Sequence, residues 1–434
     1  MRPTNETSEQ NDSVSIRLRR SFGIDRAVFY ALLLRGWQLP AGLLSAILIS
    51  HFFTSEVQGY YYTFASLTAM QSFFELNMFL VVINICSHEW AHLRLGAHGA
   101  IEGNTDTLSR LVSLARHLGV WIGFAAMLFA VVVGFIGYVF FTGNEPTEVS
   151  WQLPWILTVV GHALLLCCLP LNAMLEGCNQ VATLYRFRVI QAVVANLVVW
   201  VLVALGGNLW AAVGVAFARL AVEIYLLAVK YRHFFLPMRS PPQGATISWR
   251  YEVWPMQWRL GMSGVFGYFI FFLFTPVLFK YHGAEVAGQM GMTFVILTAL
   301  QAAALSWVQT KTPQFGMLVA ARDYRELDSL FFQMTWRSVF ALILGGSCAL
   351  MLIILLNKFG FHMAERLLDP LTTALFLLAF VLYQIPACQA IYVRAHKREP
   401  LVVANMIFAL TVGLTVWWSG AVYGARGAAW GFLG

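Results

Sequence analysis

Charge is what this chain has least of. Asp, Glu, Lys and Arg make up 11% of its 434 residues, against about 25% in soluble domains. That shortage argues against a water-soluble globule. Cysteine is sparse and unpatterned. Cys86, Cys167, Cys168, Cys178, Cys348 and Cys388 all lie in or beside apolar stretches and form no CxxC pair. A zinc ribbon and an extracellular disulfide framework are therefore excluded. No GxxxxGK[ST] loop is present, so ATP held by this chain does not drive its work. The N-terminus, MRPTNETSEQNDSVSIRLRRS, has no apolar run ahead of a cleavage site. It reads as a polar, basic cytoplasmic tail over residues 1–26 rather than a signal peptide. No cofactor is expected.

What the chain has in abundance is apolar length. Hydrophobic residues are 59% of the total, 34 of them Phe, and mean hydropathy is +0.68. Crossing a bilayer takes about 20 mostly apolar residues. Eleven stretches qualify, near 28–50, 60–87, 118–141, 153–175, 183–205, 210–230, 260–280, 288–310, 338–357, 368–393 and 400–420. A twelfth begins at GAAWGFLG and stops at Gly434, so the last span is expected to be incomplete. The expectation is an all-α integral membrane protein of about 12 transmembrane helices.

The cations alternate from loop to loop. With the tail in the cytoplasm, 22 of the 28 Lys and Arg fall in the tail and the loops on its side. Four (Lys280, Lys358, Arg366 and Arg426) fall on the other side, and Arg35 and Arg219 lie within spans. This is the positive-inside pattern, and it places the N-terminus in the cytoplasm. The net charge of +7 is then a record of topology. It calls for membrane lipids as partners and for no nucleic acid.

The chain repeats itself. EVQGYYYTFASLTAMQ (56–71) resembles EVAGQMGMTFVILTALQ (285–301), VVAN (193–196) recurs at 402–405, and AAVGVAF (211–217) resembles AAWGF (428–432). Each pair joins span n to span n + 6. The expectation is two six-helix lobes in tandem, an N-lobe over 27–232 and a C-lobe over 257–434, joined by a cytoplasmic linker at 233–256. An even number of spans per lobe relates the two by an axis along the membrane normal, with a cleft between them.

One short motif points elsewhere. His88-Glu89-Trp90-Ala91-His92 is an H-E-x-x-H sequence, the helical signature of zinc hydrolases. A zinc site needs a third ligand. Asp369, in LLDP, belongs to the opposite side of the membrane by the charge count, and His98 and His117 fall in a loop without metal spacing. An intramembrane zinc protease is therefore disfavoured, no metal is assigned, and the plainer reading is a polar interfacial cap.

Three stretches carry a family resemblance: TSEVQGYYYTFASLTAMQSFFELNM, then SHEWAHL, then PVLFKYHGAEVAGQMGMTF. They resemble the bacterial polysaccharide transporters, the O-antigen flippases of the multidrug/oligosaccharidyl-lipid/polysaccharide (MOP) exporter superfamily. The resemblance covers residues 25–434. It implies a V-shaped pair of six-helix lobes in the bacterial inner membrane. The cargo it implies is an undecaprenyl-diphosphate-linked oligosaccharide, with polysaccharide polymerase machinery as a further partner. The incomplete last span departs from the pattern. So does the lack of the two extra C-terminal spans that the peptidoglycan-precursor flippase carries.

Polar residues inside spans mark function, because each costs free energy in lipid. The expected cargo-binding residues are Arg35, Gln38, Arg259 and Gln301; the resemblance puts spans 1 and 7 on the cleft, and Arg binds phosphate oxygens in pairs. Glu75, Arg219 and Glu223 are the candidates for ion coupling. Arg219 and Glu223 stand four apart and share a helix face, where they can neutralise each other. Arg259 also fits an interfacial anchor, and Arg35 can snorkel to the headgroups. The competing function is a cation-coupled multidrug exporter of the same superfamily, which predicts a compact acidic site deep in one lobe.

Overall fold

The computed structural model describes residues 26–96, 99–143, 148–396 and 402–434. The expected tail up to Asp25, His98 and the cations Lys397 and Arg398 lie outside them.

The first apolar run forms α1 (Arg26–Phe52). The Thr54 hydroxyl then caps α2 (Ser55–Thr68) by accepting from the Val57 amide at 3.2 Å. A 3₁₀ turn leads into α3 (Ser72–Glu75) and, after Leu76 and Asn77, α4 (Met78–Trp90). Beyond it, β1 (Leu93–Leu95) and β2 (Ile101–Gly103) pair antiparallel. The stretch read as a loop up to residue 117 is therefore largely ordered. Its last part belongs to α5 (Thr105–Thr142), whose start Asn104 caps by accepting from the Asp106 and Thr107 amides.

Next come α6 (Gln152–Gly177), α7 (Val181–Ala204), and α8 (Trp210–Ile224), which a π turn extends to Lys230. The expected linker contains α9 (Arg232–Phe235) and a π turn over Trp249–Val253. Then follow α10 (Trp254–Phe271), α11 (Phe274–Gln309), α12 (Thr312–Ala321), α13 (Tyr324–Lys358), α14 (Pro370–Ala395) and α15 (Val402–Leu433).

Among the described residues, nine segments are long and apolar enough to cross a membrane, or ten counting Ser55–Glu75 with Met78–Trp90 as one bent span. The chain is a multi-pass, predominantly helical membrane protein. The expected twelve is not reached by length and hydropathy because two segments, 249–316 and 403–433, run through breaks. In α11 the break is Gly283 (φ 88°, ψ 173°), and in α15 it is Gly424 (φ 66°, ψ −151°). A side chain is strongly disfavoured in that backbone region.

Large apolar side chains cover the outside. Val120, Leu205, Trp336, Phe135 and Leu414 are all at least two-thirds exposed, as a lipid-facing surface requires. The buried side chains gather in several clusters. One joins Met78, Leu111, Met174 and Phe234, and another Phe274, Phe294, Phe376 and Phe432.

The most extensive helix–helix contact among the described elements is between α2 and α11, which carry the best-matched repeat segments. Gly59 and Gly288, equivalent in the repeat, sit at the crossing. A Cβ on Gly59 would overlap the Ala284 carbonyl, and one on Gly288 would come within 2.9 Å of the Gly59 amide nitrogen. Absent side chains let the two backbones meet, as small residues do at membrane helix crossings.

Candidate functional site

The break between α3 and α4 builds the first cavity. Leu76 and Asn77 both adopt left-handed backbone, with φ 47° and 51°. Asn tolerates it better than most residues, and the Asn77 amide donates to the Leu260 carbonyl on α10 at 2.6 Å. The bend is 44°. It leaves Glu75, the last residue of α3, on a cavity of about 460 Å³ together with His162, Asn172, Gln191, Arg219 and Glu223. The three residues expected to serve coupling thus share one chamber. The expected Arg219–Glu223 neutralisation is not formed among the described residues. Glu223 instead accepts from the Asn172 and Gln191 amides at 2.9 and 2.8 Å, while Arg219 is exposed to the chamber. The Asn172 carbonyl oxygen and the Thr158 hydroxyl, both on the chamber wall, are buried without a partner. His162 turns its Nδ1 to the Thr158 carbonyl at 2.8 Å.

A second cavity of about 360 Å³ lies where α1 meets α10, α11, α14 and α15. Arg35 and Gln301 line it, so two of the four expected cargo residues come together. Gln309, Tyr383, Arg394 and Asn405 join them. The Arg35 guanidinium donates to Gln309 Oε1 at 3.1 Å, linking α1 to the end of α11. Gln38 and Arg259 do not line this cavity. Both are exposed, and the Arg259 guanidinium stands 5.7 Å from the Trp258 ring, which fits an interfacial anchor. Arg394 lies one residue past the 368–393 stretch, where it reads from the sequence as a loop cation. A helical-face reading finds it: Tyr383, Pro386, Ala387, Ala390, Ile391 and Arg394 recur at three- and four-residue intervals, and all line the cavity.

A third cavity, about 1030 Å³, opens at the other end of the helices. It is acidic, with Glu56, Glu148 and Glu285 beside Asn208, Trp210 and His282. Beside it the α13–α14 connection clasps the start of α2. Arg366, 6% exposed, donates to the Phe53 carbonyl at 2.7 Å and to the Ser55 hydroxyl at 3.0 Å. Gln58 donates to the Gly288 and Arg366 carbonyls at 2.9 and 3.1 Å.

The H-E-x-x-H motif has a different use. Its helix ends at Trp90, so His92 lies beyond α4 and does not share a helical face with His88. His117, expected in a loop, lies within α5. Glu89 accepts from Arg110 at 2.9 Å, and Arg110 also donates to Glu252 at 2.6 Å. The motif's glutamate thereby ties α4 and α5 to the segment ahead of α10. Asp369 is occupied too. It caps α14 through the Thr372 amide and hydroxyl and pairs with Arg426 at 3.3 Å. Burial alone would raise its carboxyl; the Thr372 bonds and Arg426 outweigh that and hold it below its usual range. No cluster of three metal-ligating side chains occurs among the described residues.

No family model and no curated protein matches the chain. Solved structures do. An inward-facing multidrug resistance transporter of the MATE family, in the MOP superfamily, aligns over 94% of both chains at 13% identity with a TM-score of 0.66. The lipid II flippase MurJ in an inward closed conformation covers 94% of this chain and 84% of its own, at 11% identity and TM-score 0.62. A MATE transporter in complex with MaL6 covers 94% and 93%, at 12% identity and TM-score 0.53. At these identities the likeness is one of fold, and that fold is the one of MOP superfamily transporters.

Proposed function

We propose that the chain flips an undecaprenyl-diphosphate-linked oligosaccharide from the cytoplasmic to the periplasmic leaflet of a bacterial inner membrane by alternating access. The observation that carries this reading is the placement of Arg35 and Arg394 in one cavity with Gln301, Gln309 and Asn405. Two guanidiniums suit a diphosphate, since each offers a planar pair of donors. Amides suit the hydroxyls of a glycan. The cavity lies between α1 of the proposed N-lobe and helices of the proposed C-lobe, and rocking of the lobes would expose it to either side. The carboxylates Glu75 and Glu223 occupy a separate chamber, as an ion-coupling site kept apart from the cargo requires. The polysaccharide polymerase would receive the product.

A second reading has its own support. The Glu75–Glu223 chamber also fits a cation-coupled multidrug exporter, in which an acidic pocket in one lobe drives export. One experiment separates the two. Lipid extracts of cells lacking the gene are analysed by mass spectrometry for undecaprenyl-diphosphate oligosaccharides. The flippase reading predicts their accumulation together with loss of surface polysaccharide. An unchanged lipid pool with intact surface glycan would sink that reading and leave the drug exporter.

A further inference from the structure

The apolar part of α5 begins at Leu118 and runs to Phe141. Those 24 residues rise about 36 Å, enough for the roughly 30 Å hydrocarbon core. Arg116 and His117, the last polar residues before that run, therefore sit at the level of the lipid phosphates. Trp121, one turn further in, sits in the interfacial belt where indoles collect. By the loop charges this is the cytoplasmic leaflet, whose surface potential is negative.

At that depth α5 is not smoothly covered. A groove of about 900 Å³ is lined by Ser113, Arg116, His117, Trp121, Pro242 and Trp249. A Cβ built on Gly119, which also lines it, would meet nothing within 4 Å. Arg116 is exposed and makes no ion pair among the described residues, unlike Arg110 a turn and a half earlier. The other wall is aromatic: the Trp249 ring lies 5.8 Å from that of Trp121 and 6.3 Å from that of His117. A cation at phosphate depth beside an aromatic, apolar wall matches one occupant.

We propose that this groove holds an anionic phospholipid of the cytoplasmic leaflet, its phosphate on Arg116 and its acyl chain along Gly119 and Val120. The lipid would also contact Trp249 and so fasten the segment leading into α10 to the leaflet. The inference does not depend on which cargo is carried.

The full-length protein, stripped of lipid in detergent, is offered equimolar phosphatidylglycerol and phosphatidylcholine. Retained lipid is read by native mass spectrometry. Preferential retention of phosphatidylglycerol is expected. Arg116→Gln should reduce it about five-fold, the effect of roughly 1 kcal/mol per cation at a membrane surface. Arg94→Gln, on the exposed β1, should leave it unchanged. Equal retention of both lipids, equal retention by all variants, or an equal loss in Arg94→Gln would overturn the proposal. So would displacement of the lipid by millimolar glycerol 3-phosphate, which would reassign the groove to a soluble phosphate.

Discussion

Arg35 is the side chain that the proposed function asks to serve both cargo and conformation. Its guanidinium is spent on a neutral amide, Gln309 Oε1. A phosphate accepts charge-assisted bonds roughly twice as strong, so in the proposed cycle an anion entering the cavity would take Arg35 from Gln309 and release α1 from the end of α11. Hydrogen bonds to charged groups contribute about 1.5–3 kcal/mol. Arg35→Ala is therefore expected to lower transport by about ten-fold or more at unchanged protein level. Arg35→Lys should retain part of it, since the charge survives and the planar fork does not. Transport is followed by the lipid-linked intermediate accumulating in complemented cells; full activity of Arg35→Ala would remove this residue from the site. Arg35 was legible in the sequence because an arginine inside an apolar run has few explanations. Its amide partner was not, since 274 residues separate the two and only the folded chain brings them together.

At the scale of elements, span 2 is the informative case. A continuous apolar stretch predicts one straight helix there, and the fold instead breaks it at Leu76 and Asn77. The hydrophobic pattern survives a bend and gives no warning of it; Glu75 and Asn77 read from the sequence as polar side chains within a span, not as a hinge. The bend is fitted to its neighbour. Gly261 and Gly264 on α10 face it, and a Cβ on either would fall within 3 Å of Leu76 or Asn77. Asn77→Ala should cost the bond to the Leu260 carbonyl, about 1 kcal/mol, and in addition about 1–2 kcal/mol for left-handed backbone in alanine. Asn77→Gly loses only the bond. The thermal midpoint in detergent is expected to fall in the order wild type, Asn77→Gly, Asn77→Ala. Equal midpoints for glycine and alanine would mean that the backbone conformation carries no cost there. The repeat illustrates the opposite case. Matched letters at 56–71 and 285–301 identified related segments from sequence alone, yet not that Gly59 and Gly288 press against each other, because likeness in sequence says nothing about proximity.

Across the whole molecule the two ends are held by different bonds. The end that carries the acidic cavity has a bonded clasp: Arg366 on Phe53 and Ser55, Gln58 on Gly288 and Arg366, Gln289 donating to the Glu365 carbonyl at 2.9 Å, and the Leu368 amide donating to Thr293 at 3.0 Å. At the other end the exposed Arg35–Gln309 bond joins α1 to α11. Opening the acidic end means breaking the clasp, and once open it offers Glu56, Glu148 and Glu285 to whatever leaves. Under the proposed function, an anionic cargo would be held by arginines at one end and repelled by carboxylates at the other, which would favour release there. The clasp is best tested at Gln58, which is 1% exposed and neutral, so its removal alters no buried charge. Gln58→Leu strands the Arg366 carbonyl, at a cost of about 1–3 kcal/mol to the closed state. That shifts the balance toward opening about five- to hundred-fold. A reporter cysteine at Thr63, fully buried on α2 below the clasp, reads the shift. Labelling of Thr63→Cys by a membrane-impermeant maleimide from outside should be slow alone and faster by that factor beside Gln58→Leu. The chain with only its own cysteines serves as background. Equal labelling rates with and without Gln58→Leu would show that these bonds do not hold the end shut, and the closure would then rest on the α2–α11 packing around Gly59 and Gly288.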